Sequence, residues 1–329
     1  MPTILAGDIG GTKTVIALYT RNTTGALQQV HALTFSSQDY PTLEIILDEY
    51  LHQAPEHVLS SACFGVAGAV VNGQCRTTNL PWSLSESALA TSLGISKVKL
   101  LNDLEAAAYG MLFLDSRECV ILNAGNADAC GNIAVIAAGT GLGEAMLYWD
   151  GTRHHPLASE GGHCDFAPRN DHEIELLKYL RQRFNGHVSY ERILSGPGLY
   201  NVYAFLRDSG YASEPNWLSE ELRKGDPSAT VSRHALGGQE PLCLAALEMF
   251  VAIYGAEAGN LALKCLAVGG VYIGGGIAPK ILPALAGETF MHAFLDKGRF
   301  APLLKEMPVR VANNPQAPLL GAAHYAERL

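Results

Sequence analysis

Five short stretches of this 329-residue chain carry residue types that can hold a phosphate or move a proton. Gly7, Asp8, Ile9, Gly10, Gly11 and Thr12 form a run in which backbone N–H groups can approach an oxyanion and Thr12 adds a hydroxyl. An aspartate beside a phosphate is repulsive unless a cation intervenes, so Asp8 points to Mg2+, held through water as that ion prefers. An unliganded hairpin turn is the alternative, and the GxxxxGK[ST] pattern of a P-loop is absent. Gly139, Thr140, Gly141, Leu142 and Gly143 repeat the same chemistry, and the pair of loops argues for phosphate more strongly than either alone.

Asn102 and Asp103 end an apolar run. A carboxylate there can accept the proton of an attacking hydroxyl, and Asp103 also suits a helix N-cap; the two roles can coexist. Glu160 and His163 flank two glycines, so their side chains can converge on a small polar ligand such as a polyol, whose hydroxyls both donate and accept. A metal reading would join Glu160, His163 and Asp165, but no further His or Cys cluster completes it. Glu191 has nothing local that marks it as functional.

These residues need elements to hold them. Residues 3–6 read as a strand, 7–13 as a turn whose residues tolerate positive φ, and the following β-branched run as a second strand. The pattern recurs over Ile133–Tyr148, which predicts a duplicated α/β unit. Residues 57–68 and 98–103 read as buried strands, the latter entering a strong helix former. Residues 171–265 are mostly helical in pattern, with loop or short helices around 210–239. The stretch 263–282 predicts a strand, a triple-glycine turn and a helix starting at Pro279. Alternating strands and helices imply α/β layers with ligands at the C-terminal ends of strands.

Composition narrows the class. Hydrophobic residues make up 48 % and charged residues 17 %, a globular balance. The net charge of −9 offers no grip on a phosphate polymer, so nucleic acid is not an expected partner. The apolar run from Cys265 to Pro279 is glycine-rich and shorter than the about 20 residues a spanning helix needs, so no membrane is expected. The first residues lack the basic and apolar regions of a signal peptide. Seven cysteines form no CxxC pair, which predicts reduced, mostly buried thiols and a cytoplasmic protein.

Taken together, the stretches GDIGGTK, FGVAG, TTNLPW, LLNDLEAAAYG, AAGTGLGEA, EGGHCDFAP, YERILSGPGLYNVY, NLALKCLAVGGVYIGGGIAPK, FLDKGRF and LLGAAHY resemble the bacterial glucokinase family, in order over nearly the whole chain. EGGHxDFAP with ERxLSGPGL is specific to that family. The zinc segment CxCGxxGC of the wider repressor-kinase superfamily is missing, and no helix-turn-helix precedes the first strand. The resemblance implies an actin-like (ribonuclease H-like) two-domain α/β sugar kinase fold with a cleft between the domains. It places residues 1–105 plus 312–329 in a small domain and 106–311 in a large one. It implies ATP-dependent phosphorylation of glucose at O6, giving glucose 6-phosphate at the first step of glycolysis, with ATP and Mg2+ as cofactors. Asp103 matches the family's catalytic base; Asn102, Glu160, His163 and Glu191 match residues that hold glucose hydroxyls. Gly7–Thr12 match the first phosphate loop, Gly139–Gly143 the second, and the turn containing Gly275 and Gly276 an adenosine-side loop. A homodimer is the implied assembly. A kinase for another hexose (mannose, fructose or an N-acetyl amino sugar) and a non-catalytic sugar sensor are the alternatives.

Overall fold

The computed structural model describes residues 3–55, 58–77 and 79–329; His57 of the strand read over 57–68 and Thr78 of TTNLPW lie outside the described residues. The chain divides into two compact units: Met1–Asp115 with His154–Ala158 and Asn314–Leu329, and Ser116–Arg153 with Ser159–Asn313.

In the first unit, β1 (Thr3–Ile9) and β2 (Lys13–Arg21) form an antiparallel hairpin, extended by β3 (Leu27–Ser36). Helix α1 (Leu43–Gln53) buries Leu43, Ile46, Leu47 and Tyr50, the spacing of one helical face. It leads to β4 (Leu59–Val66), parallel to β1. Three short strands, β5 (Val70–Val71), β6 (Gln74–Arg76) and β7 (Ser83–Ser85), make a small antiparallel sheet. Helix α2 (Glu86–Leu93) then feeds β8 (Val98–Asn102), parallel to β4, and α3 (Asp103–Met111) follows at once. The sheet order is β3-β2-β1-β4-β8. β1 is central and nearly all buried, which explains its continuous apolar character.

The first hairpin corrects the sequence reading at one point. Gly7, Asp8 and Ile9 are strand, paired with Ile16, Val15 and Thr14, and only Gly10–Thr12 turn the chain. None of Gly7, Gly10 and Gly11 has positive φ, so glycine is not there for backbone freedom. Room is the reason: a Cβ on Gly7 would lie 2.6 Å from Phe64 Cδ1 on the neighbouring strand.

The second unit begins with β9 (Cys119–Asn123), β10 (Ile133–Ala138) and β11 (Leu142–Trp149); β12 (His154–Leu157) belongs with the first unit. Five helices follow: α4 (Asp171–Arg183), α5 (Gly196–Asp208), α6 (Asn216–Lys224), α7 (Pro227–Leu236) and α8 (Pro241–Cys265). Next come β13 (Gly270–Gly274), α9 (Leu282–Leu285), α10 (Glu288–Leu295), α11 (Ala301–Lys305) and β14 (Val309–Ala312). The order β11-β10-β13-β14 repeats β2-β1-β4-β8 strand for strand: an antiparallel hairpin, then two parallel additions on the side of its first strand. The duplication suggested by two similar hairpins thus extends to four strands in each unit.

Helix α8 is predominantly apolar and mostly buried, with Glu257 and Lys264 among its few charged residues. It packs on α5, α7 and α10 as the central helix of the unit's core. The helix expected at Pro279 starts later, at Leu282. Residues 275–281 form turns instead, tied to the neighbouring strand by the Ile277 N–H, which donates to the Ala138 carbonyl oxygen (3.1 Å). The expectation of mostly buried thiols also fails in part: Cys63, Cys75 and Cys243 are buried, whereas Cys130 and Cys164 are exposed.

The final helix, α12 (Ala317–Glu327), lies in the first unit against α3, β1 and β4. Its small residues Ala322, Ala323 and Ala326 pack with Ala6, Ala106 and Leu101. Where α12 crosses α3 the backbones nearly touch. A Cβ on Gly321 would collide with the Ala106 carbonyl oxygen, and one on Gly110 with the Ala317 carbonyl oxygen. This packing holds α3 in the first unit.

Candidate active site

Within the first unit, β1, β4 and β8 run parallel and end at the same edge, the edge where open α/β sheets bind ligands. The Gly10–Thr12 turn follows β1, FGVAG ends β4, and Asn102–Asp103 follow β8. The turn is braced from a distance. Buried Ser37 donates its Oγ hydrogen to the Gly10 carbonyl oxygen (2.8 Å), and its N–H to the Thr12 carbonyl oxygen (3.0 Å). Asn79 of TTNLPW lies over it, 2.7 Å from where a Gly11 Cβ would sit. Neither residue carried a local signal in the sequence, since each meets the turn only after the chain has folded back.

The helix cap falls one residue before the expected place. Asn102, not Asp103, is the N-cap: its Oδ1 accepts the Leu104 N–H (2.9 Å), and Glu105 Oε2 accepts the Asn102 N–H (2.9 Å), closing a capping box. Asn102 Nδ2 also donates to the Gly68 carbonyl oxygen (3.1 Å), tying β8 to the end of β4. Asp103 is therefore the first helical residue, half-buried, its Oδ1 accepting the Leu104 N–H at 2.9 Å. Cap and carboxylate are thus separate residues.

Asp8 is half-buried, and burial first, then the nearby Asp103 charge, pushes its carboxyl up to about 6 against the partial offset of Lys13. Two carboxylates this close are an unbalanced negative pair that a hard cation relieves. Among the described residues no group of three or more His, Cys, Asp or Glu could hold a metal alone. One or two carboxylates, with ligand phosphates and water completing the shell, is the arrangement that suits Mg2+.

In the second unit, Gly139–Gly141 turn the β10–β11 hairpin and Gly275–Gly276 follow β13, again at adjacent C-terminal strand ends. Gly275 has φ +82°, and a Cβ there would strike the Ala138 carbonyl oxygen, so glycine is required. The Gly196 N–H from SGPGL donates to the Gly139 carbonyl oxygen (2.8 Å), fixing the loop from below.

Glu160–His163 form a short 3-10 turn. Backbone bonds from Tyr190 N–H to the Cys164 carbonyl oxygen (3.0 Å) and Phe166 N–H to the Val188 carbonyl oxygen (2.9 Å) lay residues 188–191 beside it. The result is a cluster: His163 Nε2 lies 4.0 Å from Glu160 Oε2, and His163 Nδ1 lies 4.0 Å from Glu191 Oε1. Glu191 Oε2 accepts the Leu142 N–H (3.1 Å), so the residue with no local signal joins the second glycine loop to the His163 turn. Asp165 stands apart, its Oδ1 3.0 Å from His187 Nε2, which removes it from a metal set with Glu160 and His163. Glu160 and His163 are largely exposed while Glu191 is mostly covered, so the cluster offers two free faces and one anchored carboxylate.

Comparison with known proteins bears on this arrangement. The family model described as Glucokinase matches residues 5–329. Curated relatives include a glucokinase of Nostoc sp., 42 % identical over 100 % of both chains, and one of Synechocystis sp., 43 % identical over 97 % of this chain and 96 % of the relative. Among solved structures, a glucokinase from an Antarctic psychrotroph superposes with a TM-score of 0.89 at 34 % identity, covering 100 % of both chains. A ROK family glucokinase from Streptomyces griseus, solved with glucose and AMPPNP, shares the fold with a TM-score of 0.64 at 20 % identity, over 99 % of this chain and 100 % of that one. The fold is that of the actin-like sugar kinases, and the chain belongs to the glucokinase family.

Proposed function

We propose that this enzyme transfers the γ-phosphoryl group of ATP to O6 of glucose, with Asp103 as the proton acceptor. Family membership carries the activity, and the approach of Glu160 and Glu191, each to 4.0 Å from His163, is the observation that most supports a sugar-binding role for them. Carboxylates and an imidazole pair well with a ring whose every hydroxyl donates and accepts. Asn102 keeps a second amide N–H beyond its bond to Gly68, suited to a sugar hydroxyl. Asp103 orients the attacking hydroxyl and receives its proton late, since a loose phosphoryl-transfer transition state asks more of orientation than of basicity.

Within Gly7–Thr12 and Gly139–Gly143, the turn residues Gly11, Thr12, Thr140 and Gly141 supply N–H and hydroxyl donors to the ATP phosphates, and the Gly275–Gly276 turn borders the adenosine. Asp8 holds Mg2+ through water, and the ion supplies charge neutralisation at the phosphates. We expect Asp8→Asn to raise the Mg2+ concentration needed for half-maximal activity by about 10- to 100-fold, the usual cost of losing an outer-sphere partner. Mg2+ titration at fixed ATP measures it; an unchanged requirement would remove Asp8 from the metal site.

The two compact units serve as the domains, and the protein acts in the cytoplasm as a homodimer. Seven free cysteines suit a reducing compartment. Purified protein assayed for ADP release over a panel of hexoses and phosphoryl donors tests the reading: glucose with ATP should give the highest kcat/KM. Sugar binding without ADP release would overturn it.

A further inference from the structure

Beneath the His163 turn lies a buried polar cluster that the phosphoryl transfer does not use. Glu144 on β11 is 1 % exposed and Glu257 on α8 is wholly buried. Glu257 is well served: its Oε2 accepts from Asn260 Nδ2 (2.7 Å) and its Oε1 from Lys264 Nζ (3.0 Å). Glu144 is not. Its Oε1 is buried with no hydrogen-bond partner among the described residues, a costly state for a carboxylate oxygen. Its Oε2 lies directly under Gly161: a Cβ on Gly161 would collide with that oxygen, and one on Gly162 with the Leu142 carbonyl oxygen. Gly161 therefore lets the turn sit on the Glu144 carboxyl, and Gly162 lets it sit on the Leu142 carbonyl.

We infer that Glu144 and Glu257 form a buried acid pair sharing one proton, and that this proton sets the position of residues 160–163. Glu144 is thus a positioning residue acting through Glu160 and His163. Charge accounting supports it. Lys264 Nζ lies 3.0 Å from Glu257 Oε1 and no cation is bonded to Glu144 among the described residues, so a proton is what neutralises its buried carboxyl. Burial, then the Glu257 charge, pushes the Glu144 carboxyl up to about 7, with Lys264 working the other way. Lys297 also acts on Glu257 at a distance, and the nearer groups facing the cluster are uncharged hydroxyls. Tyr190 accepts from Asn260 Nδ2 (3.2 Å), Tyr254 is bonded to the β10 backbone, and Ser159 Oγ accepts the Gly161 N–H (2.9 Å). Cys164 acts only at a distance, on Lys264. The sign follows. A raised carboxyl stabilises the fold while protonated, and that contribution is lost as pH rises from the unfolded carboxyl's range through about 7. Above pH 7 a second negative charge appears under Gly161 and the turn loosens.

The effect on catalysis rests on the proposal that Glu160 and His163 hold the sugar, so the test has a sugar-free arm. Hydrogen exchange at the amides of 160–164 is compared between wild type and Glu144→Gln, which copies the protonated acid without its charge. The wild-type-to-variant rate ratio should stay near one at pH 6 and reach about fivefold at pH 8.5, the low end for coupled sites. A ratio flat with pH overturns the inference. Wild type alone repeats the test without a substitution: exchange at 160–164, normalised to the exposed 210–214 loop, must accelerate above pH 7, and its failure to do so also overturns it. In the second arm the wild-type glucose KM should rise about fivefold relative to the variant over the same range, with kcat moving in parallel in both. A rising exchange ratio with parallel KM values supports the acid pair and overturns instead the sugar role of Glu160 and His163.

Discussion

Asp103→Asn should lower kcat by about 10^3- to 10^4-fold while leaving glucose affinity within about threefold of wild type. The substitution is close to a pure test of proton acceptance. Asn keeps the shape of Asp, and its Oδ1 can take over the Leu104 N–H bond that Asp103 makes at 2.9 Å, so the start of α3 need not change. It can still orient a hydroxyl, but it cannot end the reaction holding the proton. The hydroxyl's own pKa lies above an aspartate's by on the order of ten units, so ground-state deprotonation is not what is lost. The loss should therefore fall on turnover and not on binding. Calorimetric titration with glucose beside steady-state ADP release measures both, and a variant retaining a tenth of wild-type kcat would take Asp103 out of the base role.

Gly321→Ala should cost about 3 kcal/mol or more of stability, although it adds a single methyl group far along the chain from any site residue. The new Cβ has nowhere to go. It points at the Ala106 carbonyl oxygen and the Gly110 N–H of α3, both backbone, so relief requires the two helices to separate. Separation would strip cover from Ala6, Ala106 and Ala323 and tilt the helix whose first residue is Asp103. The thermal midpoint should fall by roughly 5–10 °C. A larger-to-smaller change at neighbouring Leu320, only half-buried, should cost much less, and a midpoint for Gly321→Ala within 1 °C of wild type would refute close helix contact as the reason for that glycine.

Much of the molecule was legible from neighbouring residues alone. The two hairpins, the strand entering Asn102 and the helical pattern before Cys265 appear where periodicity and β-branched runs placed them, whereas the helix after that strand begins at Asp103, a residue the sequence reading left in the strand. Both glycine loops and EGGH stand at strand ends or short turns, as motif reading expects. Such features are local: a few consecutive residues determine which face is apolar and where the chain can bend.

What only the tertiary structure decided was which distant residues meet. Glu191 becomes a neighbour of His163 through backbone pairing between 164–166 and 188–190, which no spacing in the sequence reveals. Asn102 takes the cap while its amide also reaches Gly68, just past the end of the adjacent strand, so a choice that propensity left open was settled by a residue from another part of the chain. Gly7, Gly161 and Gly321 were readable as glycines but not as contacts; each is small because something from another part of the chain passes within a methyl's reach. Glu144 gave no local sign, since a glutamate in a strand reads as solvent-facing until the opposite wall is known to be Glu257 and Lys264. Local pattern specifies elements, whereas close approach and buried charge depend on pairs of surfaces that exist only after the elements have packed.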